Sequence, residues 1–448
     1  MATVRDVFLI ALVCVTACAP ARANSVHLMN AFQMAIANDP TFLSADATNR
    51  AAQELIPQAK ALLLPEIRMA SNVRGTLRFN LRDSTTAALG RRDAFFSGDV
   101  TLNITQPIYR QDLRIQVKQS GTQVARADAV FAFALQDLIV RVADRYFGVL
   151  AADDALQFAE SSKSAIEQQL TQSKQRFEVG LIAITDVEEA QAGFDLAVAQ
   201  VIAAENDLAS AYESLREVTG KYHKALWILG NDMPPLVVPQ PNNIDAWTET
   251  ALDQNRQLEA ARLEVAEQRD EIRRVEAGHL PTLNLFGSSG VTFQSGNTVT
   301  NSRNWDTSVG LQLAVPIYRG GLVLSQTRQA QHTHQRAIED QEQQRRATQR
   351  LARDSFRGVL SGISRVQALK QAVVSAQSAL EAIEAGFQVG TRTSVDVLNA
   401  QRDFFRSRRD YSQARYDYIL SILRLKQAAG TLAPPDLVQV NTWLSKTG

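Results

Sequence analysis

The sequence predicts a mainly α-helical protein with membrane-type β-strands, arranged as a tandem duplication of one unit. Three observations lead there. First, the 13 prolines of the 448-residue chain leave residues 108–233 and 317–433 empty, where average usage would put roughly six in each stretch. Long uninterrupted helices explain such gaps, because proline breaks the helical ladder. Second, four runs outside the gaps alternate apolar and polar residues. Third, landmarks recur in order at an offset of about 210: Phe177-Glu-Val-Gly180 returns as Phe387-Gln-Val-Gly390, Gly148 as Gly358, Gly220 as Gly430, and Pro107-Ile-Tyr-Arg110 as Pro316-Ile-Tyr-Arg319. Chance similarity does not keep so many landmarks in sequence.

Residues 1–23 read as a signal peptide. Arg5 precedes the apolar run Val7–Ala17, and Ala21-Arg-Ala23 fits the small-x-small cleavage pattern. A run of about eleven residues is too short to cross a bilayer as a helix, which needs about twenty. A second reading stays open, since Val15-Thr-Ala-Cys18 resembles a lipoprotein processing box that would leave Cys18 lipidated. Cys14 and Cys18 are the only cysteines, so neither a disulfide framework nor a thiolate metal site is expected.

The first unit, residues 24–232, opens with a helical run and continues into strands expected at about 66–82 and 95–107. Ile67, Met69, Val73, Leu77, Phe79 and Leu81 alternate with Arg68, Asn72, Arg74, Thr76, Arg78 and Asn80; Val100, Leu102 and Ile104 alternate with Asp99, Thr101 and Asn103. A period of two marks a strand with one apolar and one wet face. A helical hairpin follows over about 110–228. The Pro-rich segment 233–245 links it to the second unit, residues 246–432, with a helix, strands at about 282–294 and 304–316, and a hairpin over about 321–430. A tail, 433–448, completes the chain. Each strand run covers the nine to eleven residues that a tilted membrane strand needs. Four strands alone cannot close a barrel whose edges must all be paired in lipid, so oligomerisation has to close it.

Tyr109 to about Glu178 forms a rod of roughly 100 Å at about 1.5 Å per residue. Val117, Val124, Phe131 and Leu138 recur every seven residues, with Ala152 further along, which suggests a coiled-coil seam. Ser325–Arg350, rich in glutamine, is polar nearly all round and belongs in water on more than one side. The rods reverse at Gly180 and Gly390, where a left-handed C-cap is wanted. Thr185-Asp-Val-Glu188 reads as a capping box for the next helix, and Thr393 or Ser394 serves the second copy.

Other function classes find no support. Lys plus Arg equal Asp plus Glu at 47 each, so the basic excess of a nucleic-acid binder is missing. His332-Thr-His334 is the only close histidine pair, and residues two apart on a helix point away from each other and cannot share a metal. No nucleophile–base order or phosphate loop stands out, so neither an enzyme site nor a cofactor is expected.

The chain resembles the TolC family of outer-membrane channel proteins from about His27 to Leu444. Gly278-His-Leu-Pro-Thr-Leu283, Pro316-Ile-Tyr-Arg-Gly-Gly321, Lys370–Leu380, Gly390-Thr-Arg-Thr-Ser-Val-Asp-Val-Leu398 and Gly180-Leu-Ile-Ala-Ile-Thr-Asp-Val187 carry the likeness. The resemblance implies a homotrimer in the outer membrane, with four strands per chain in one twelve-stranded barrel above a twelve-helix periplasmic tunnel. It also implies an exit duct for type I protein secretion or multidrug efflux, in contact with outer-membrane lipid and working with a periplasmic adaptor and an inner-membrane ABC or RND-type pump. The adaptor itself is the alternative, disfavoured by the duplicated strands; a soluble coiled-coil scaffold is disfavoured by the leader and the strands.

By the same resemblance the hairpin tips, turning at Gly180 and Gly390, dock the adaptor and hold the gate. Arg392 pairs with Thr185 and Asp186 of the other hairpin, some of it across a subunit boundary. Asp396 faces the pore, where three copies make a carboxylate ring. Two residues depart from the family pattern: Asn399 replaces a second pore aspartate, and Phe387 replaces a tyrosine whose hydroxyl links the hairpins. Both changes are expected to weaken cation binding and the closed latch. The plainer reading of Asp186 and Asp396 is that each sits in the first turn of a helix, favouring its dipole by a few tenths of a kcal/mol. Arg68, Asn72, Arg74 and Arg78 either line a positive lumen or are ordinary solvated strand residues.

Overall fold

The computed structural model describes residues 26–79, 92–223, 225–230, 236–296 and 301–445. The expected leader, both cysteines, residues 80–82 of the first expected strand and residues 233–235 of the expected linker lie outside this set.

The first unit begins with α1 (Leu28–Asn38), α2 (Pro40–Gln53) and α3 (Leu55–Ala61). The single helical run expected here is broken because Pro40 cannot continue α1. Asp39 becomes the N-cap of α2 instead, accepting from the Phe42 amide at 2.8 Å. The second unit repeats the break, with Asn255 between α6 (Ile244–Gln254) and α7 (Arg256–Glu276) accepting from the Gln257 and Leu258 amides.

Strands β1 (Glu66–Phe79), β2 (Arg92–Tyr109), β4 (Thr282–Gly296) and β5 (Ser302–Ala314) form one antiparallel sheet in the order β1-β2-β4-β5. The register stacks like with like. Met69 lies opposite Leu102, Val100 opposite Val291, Val291 opposite Trp305 and Leu285 opposite Leu311. Directly opposed residues share a face, so one side of the sheet is largely apolar across all four strands, interrupted by Ser71, Gln106 and the Ser289–Thr307 pair. Asn72 opposite Asp99 and Ser288 opposite Ser308 belong to the other, polar side, joined by hydrogen bonds of 3.2 and 2.8 Å.

Beyond the sheet run α4 (Gln111–Glu178, 68 residues) and α5 (Ile184–Thr219), then α8 (Leu322–Gln388, 67 residues) and α9 (Ser394–Ala428). At about 1.5 Å per residue, α4 and α8 are each roughly 100 Å long. The first hairpin stops at Thr219, short of the expected 228, because Gly220 takes φ 73° and caps α5. The narrow seven-residue seam also needs correcting. Of Val117, Val124, Phe131, Leu138 and Ala152, only Leu138 is fully buried, and the core stripe of α4 is the broader set Leu138, Ile139, Val142, Tyr146, Phe147 and Leu150. These pack with Leu28 and Phe32 of α1, Leu215 of α5, and Ile419 and Leu423 of α9.

Among the described residues, the linker and tail contribute secondary structure of their own. Asn243 caps α6 from within the linker. The tail folds as α10 (Pro434–Asn441) and β6 (Leu444–Ser445), and β6 pairs with β3 (Ile228–Leu229) from just after the first hairpin. A small belt thus wraps the middle of the rods.

Candidate functional site at the hairpin tips

Both tips turn in the same way, as the repeat demands. Gly180 takes φ 76° and Gly390 φ 80°. At the first tip the Leu181 amide donates to the Arg176 carbonyl and the Gly180 amide to the Phe177 carbonyl, both at 2.9 Å. At the second, Thr391 donates to Gly386 at 2.9 Å and Gly390 to Phe387 at 3.2 Å. This paired six-to-one and five-to-two pattern closes a helix on a left-handed residue, which glycine adopts at no steric cost.

The helices that leave the turns start differently. Thr393 caps α9: its hydroxyl accepts from the Asp396 amide at 3.2 Å, and the Asp396 carboxylate accepts from the Thr393 amide at 3.0 Å. Those bonds from Thr393, with the Arg392 charge adding, hold the Asp396 carboxyl below the usual carboxylate range. The equivalent position in the first hairpin is Ala183, which has no capping side chain. The capping box expected at Thr185–Glu188 is therefore absent: α5 already begins at Ile184, which puts Thr185 inside its first turn. As a result Thr185 and Asp186 have no capping duty. Neither their side chains nor that of Arg392 makes a hydrogen bond or ion pair with any other described residue.

Among the described residues, Leu398 and Phe387 join the hairpins of one chain near the tips. Leu398 of α9 enters a cluster with Ile166 and Leu170 of α4 and Val187, Ala190 and Ala197 of α5. Gly193 of α5 admits it, since a Cβ there would stand 3.5 Å from Leu398 and 3.4 Å from the Arg402 guanidinium. Phe387, only 7% exposed, lies beneath Arg176 of α4, whose guanidinium carbon is 4.3 Å from the ring centroid. The stem of Arg392 folds over Gly386, where any Cβ would be 2.8 Å from its Cγ. Asn399 is exposed on α9, on one stripe with Asp396, Asp403 and Arg406 at helical spacings of three and four.

The sequence reading missed Arg176. Its one signal there was position: it precedes Phe177, the repeat counterpart of Phe387.

On the sheet, the apolar face is open. Met69, Leu77, Trp305 and Val309 are 71–76% exposed. The polar face carries less net positive charge than the arginines alone imply, because Arg68 pairs with Glu66 at 2.6 Å and Asn72 with Asp99; the Arg78 side chain lies outside the described set. Among the described residues no helix is long and apolar enough to cross a membrane, and no group of three or more His, Cys, Asp or Glu is disposed to hold a metal.

An amphipathic sheet in the size range of membrane strands, continuous with rods of roughly 100 Å, defines a class: channels that cross a membrane by strands and extend from it by helices. Within that class the chain belongs to the outer membrane efflux protein family, which it matches over residues 31–221 and 247–431. It is 39% identical to the outer membrane protein TolC of Vibrio cholerae, over 93% of this chain and 94% of that one. It is 30% identical to the alkaline protease secretion protein AprF of Pseudomonas aeruginosa, over 93% and 86%. The Campylobacter jejuni CmeC outer membrane channel shares the fold, with a TM-score of 0.75 at 15% identity over 93% of this chain and 89% of that one. The protein is thus an outer-membrane channel, an exit duct for secretion or efflux.

Proposed function

We propose that three copies of this chain form a duct that carries secreted protein, drugs or both out of the cell, and that it opens at its periplasmic tips on docking an adaptor joined to an inner-membrane ABC or RND-type pump. The observation that carries this reading is the sheet. One face is largely apolar, among the described residues no strand pairs with the outer edges of β1 and β5, and in lipid every backbone group needs a partner. Threefold closure gives twelve strands and buries both edges. The tips at Gly180 and Gly390 are the natural seat for the adaptor.

The gate reading pairs Arg392 with Thr185 and Asp186 of the other hairpin, some of it across a subunit boundary. Among the described residues of one chain neither side has a side-chain hydrogen bond or ion pair, which supports a link made between copies. A guanidinium bonds a hydroxyl and a carboxylate together, and such charge-assisted bonds release when the tips are pulled apart. Asp396, held ionised by its capping bonds, supplies a ring of three carboxylates that attracts cations; Asn399 adds no charge to it.

Single-channel recording in planar bilayers tests the gate. Arg392→Ser is expected to raise conductance, and an unchanged value refutes the latch. A heat-dependent shift from trimer to monomer on a gel tests the assembly.

A further inference from the structure

Phe387 stands where a hydroxyl link between the hairpins was expected to be lost, yet its ring is among the buried groups of the chain. The turn geometry does not explain that burial. Phe177 occupies the same place in the other tip, with the same hydrogen-bonding pattern, and is 41% exposed. Among the described residues, a guanidinium lies over the Phe387 ring and none over that of Phe177. Arg176 belongs to the last turn of α4 and Phe387 to the last turn of α8, so the 4.3 Å contact crosses from one hairpin to the other. The Arg176 side chain makes no hydrogen bond or ion pair with another described residue, which leaves the ring as its recorded partner. Further along the rods the arrangement recurs with the roles exchanged: Arg408 of α9 lies 4.8 Å over the ring of Phe158 in α4.

We infer that Arg176 is a positioning residue of the gate, holding the second hairpin against the first within each protomer through the π face of Phe387. This inference rests on the reading of the tips as a gate. It divides the closed state into two kinds of link. Polar bonds from Arg392 join neighbouring copies, and a cation–π contact joins the two hairpins of one copy. The position that departs from the family pattern thus carries a different link and is not simply a weak one. A flat ring suits this task, because it gives up an arginine without leaving a buried unpaired acid behind.

The test compares Arg176→Met, Phe387→Leu, their double variant, Arg176→Lys, Phe387→Tyr and Arg392→Ser, each recovered as the heat-sensitive trimer, in planar bilayers at one salt concentration. Arg176→Met keeps the stem and loses the charge; Phe387→Leu keeps an apolar side chain and loses the π face. Each is expected to raise the open-to-closed ratio about threefold to tenfold per protomer, the range of a cation–π contact at a factor of ten per 1.4 kcal/mol. The double variant should do no more than either single one, because both remove the same link. Arg176→Lys should stay near the parent, and Phe387→Tyr, which keeps the π face and restores a hydroxyl, should be no more open than the parent. The inference is overturned if Phe387→Leu behaves like the parent, if the two single effects add in full, or if Phe387→Tyr opens the channel as far as leucine does. Arg392→Ser separates the two levels. If it opens the channel while Arg176→Met and Phe387→Leu do not, the cation–π link alone is refuted; if none of the three opens it, the gate reading fails as well.

Discussion

Gly220 and Gly430 hold equivalent places at the ends of α5 and α9, with φ of 73° and 76°, yet alanine is expected to act differently at the two. Any L-residue held left-handed costs about 1–2 kcal/mol, and that cost is common to both. The surroundings are not. A Cβ on Gly220 would meet the Asn38 side chain, with its Cβ the nearest atom at 2.9 Å, so the terminal residue of α1 has to shift, but no backbone atom stands in the way. A Cβ on Gly430 would lie 2.1 Å from the Gln254 carbonyl oxygen, 2.5 Å from its carbon and 2.9 Å from the Asn255 nitrogen. That is backbone, and it is pinned: Asn255 caps α7 and donates to the Ala428 carbonyl at 3.1 Å, while Gln136 donates to the Gly430 carbonyl at 2.9 Å. Overpacking of about 1–3 kcal/mol and strain on one or two hydrogen bonds of about 1 kcal/mol each come on top. Gly430→Ala should therefore cost about 3–7 kcal/mol and Gly220→Ala about 1–3 kcal/mol. Denaturant unfolding of the purified protein in detergent, followed by far-ultraviolet circular dichroism, reads the difference. Equal shifts in midpoint would refute the claim that backbone contact at the α6–α7 break governs this end of α9.

Two further outcomes follow from the sheet and the belt. Val309→Arg places a charge midway along the apolar face of β5, at a cost of about 2–4 kcal/mol near a bilayer midplane, so the yield of trimer in the outer-membrane fraction should fall; Asn72→Arg, on the polar face opposite Asp99, should insert normally, and equal yields would sink the assignment of faces. Burial, with Lys221 nearby, holds the His223 imidazole below its ordinary value, beside the Thr219 hydroxyl at 3.1 Å. The fold therefore prefers the neutral ring, and the unfolded chain binds more protons once pH drops below about 6.5, so this part of the stability is complete above that pH and is lost on acidification. His223→Gln should flatten the fall in unfolding midpoint between neutral pH and about pH 5; an unchanged slope would show that the ring carries none of it.

Patterns of long range in sequence translated well. The period-two runs became β1, β2, β4 and β5 within a few residues, because a face in lipid or water is written residue by residue along one strand. The proline gaps became the two hairpins, and Gly180 and Gly390 turned them as expected. What escaped is what distant segments decide together. β3 and β6 are two residues each, too short to show a period, and exist only because the tail returns to the end of the first hairpin. The start of α5 was misplaced because Thr185 and Glu188 have the right spacing for a box, while the repeat puts Ala183 at the cap. Arg176 escaped because a contact between an arginine and a ring leaves no spacing rule in a sequence.

The two free edges of the sheet also bear on genetics. A protomer alone in the membrane would expose one side of β1 and of β5 as unpaired amides and carbonyls, each costing several kcal/mol in hydrocarbon. Under the proposed threefold closure, completion before insertion is therefore favoured, with copies meeting while still outside the bilayer. A variant that folds its rods but spoils the β5 edge would still be drawn into such assemblies. Under threefold closure and equal random mixing, only about one assembly in eight would escape it, so damage at this edge should behave as dominant, whereas loss of the whole chain should behave as recessive.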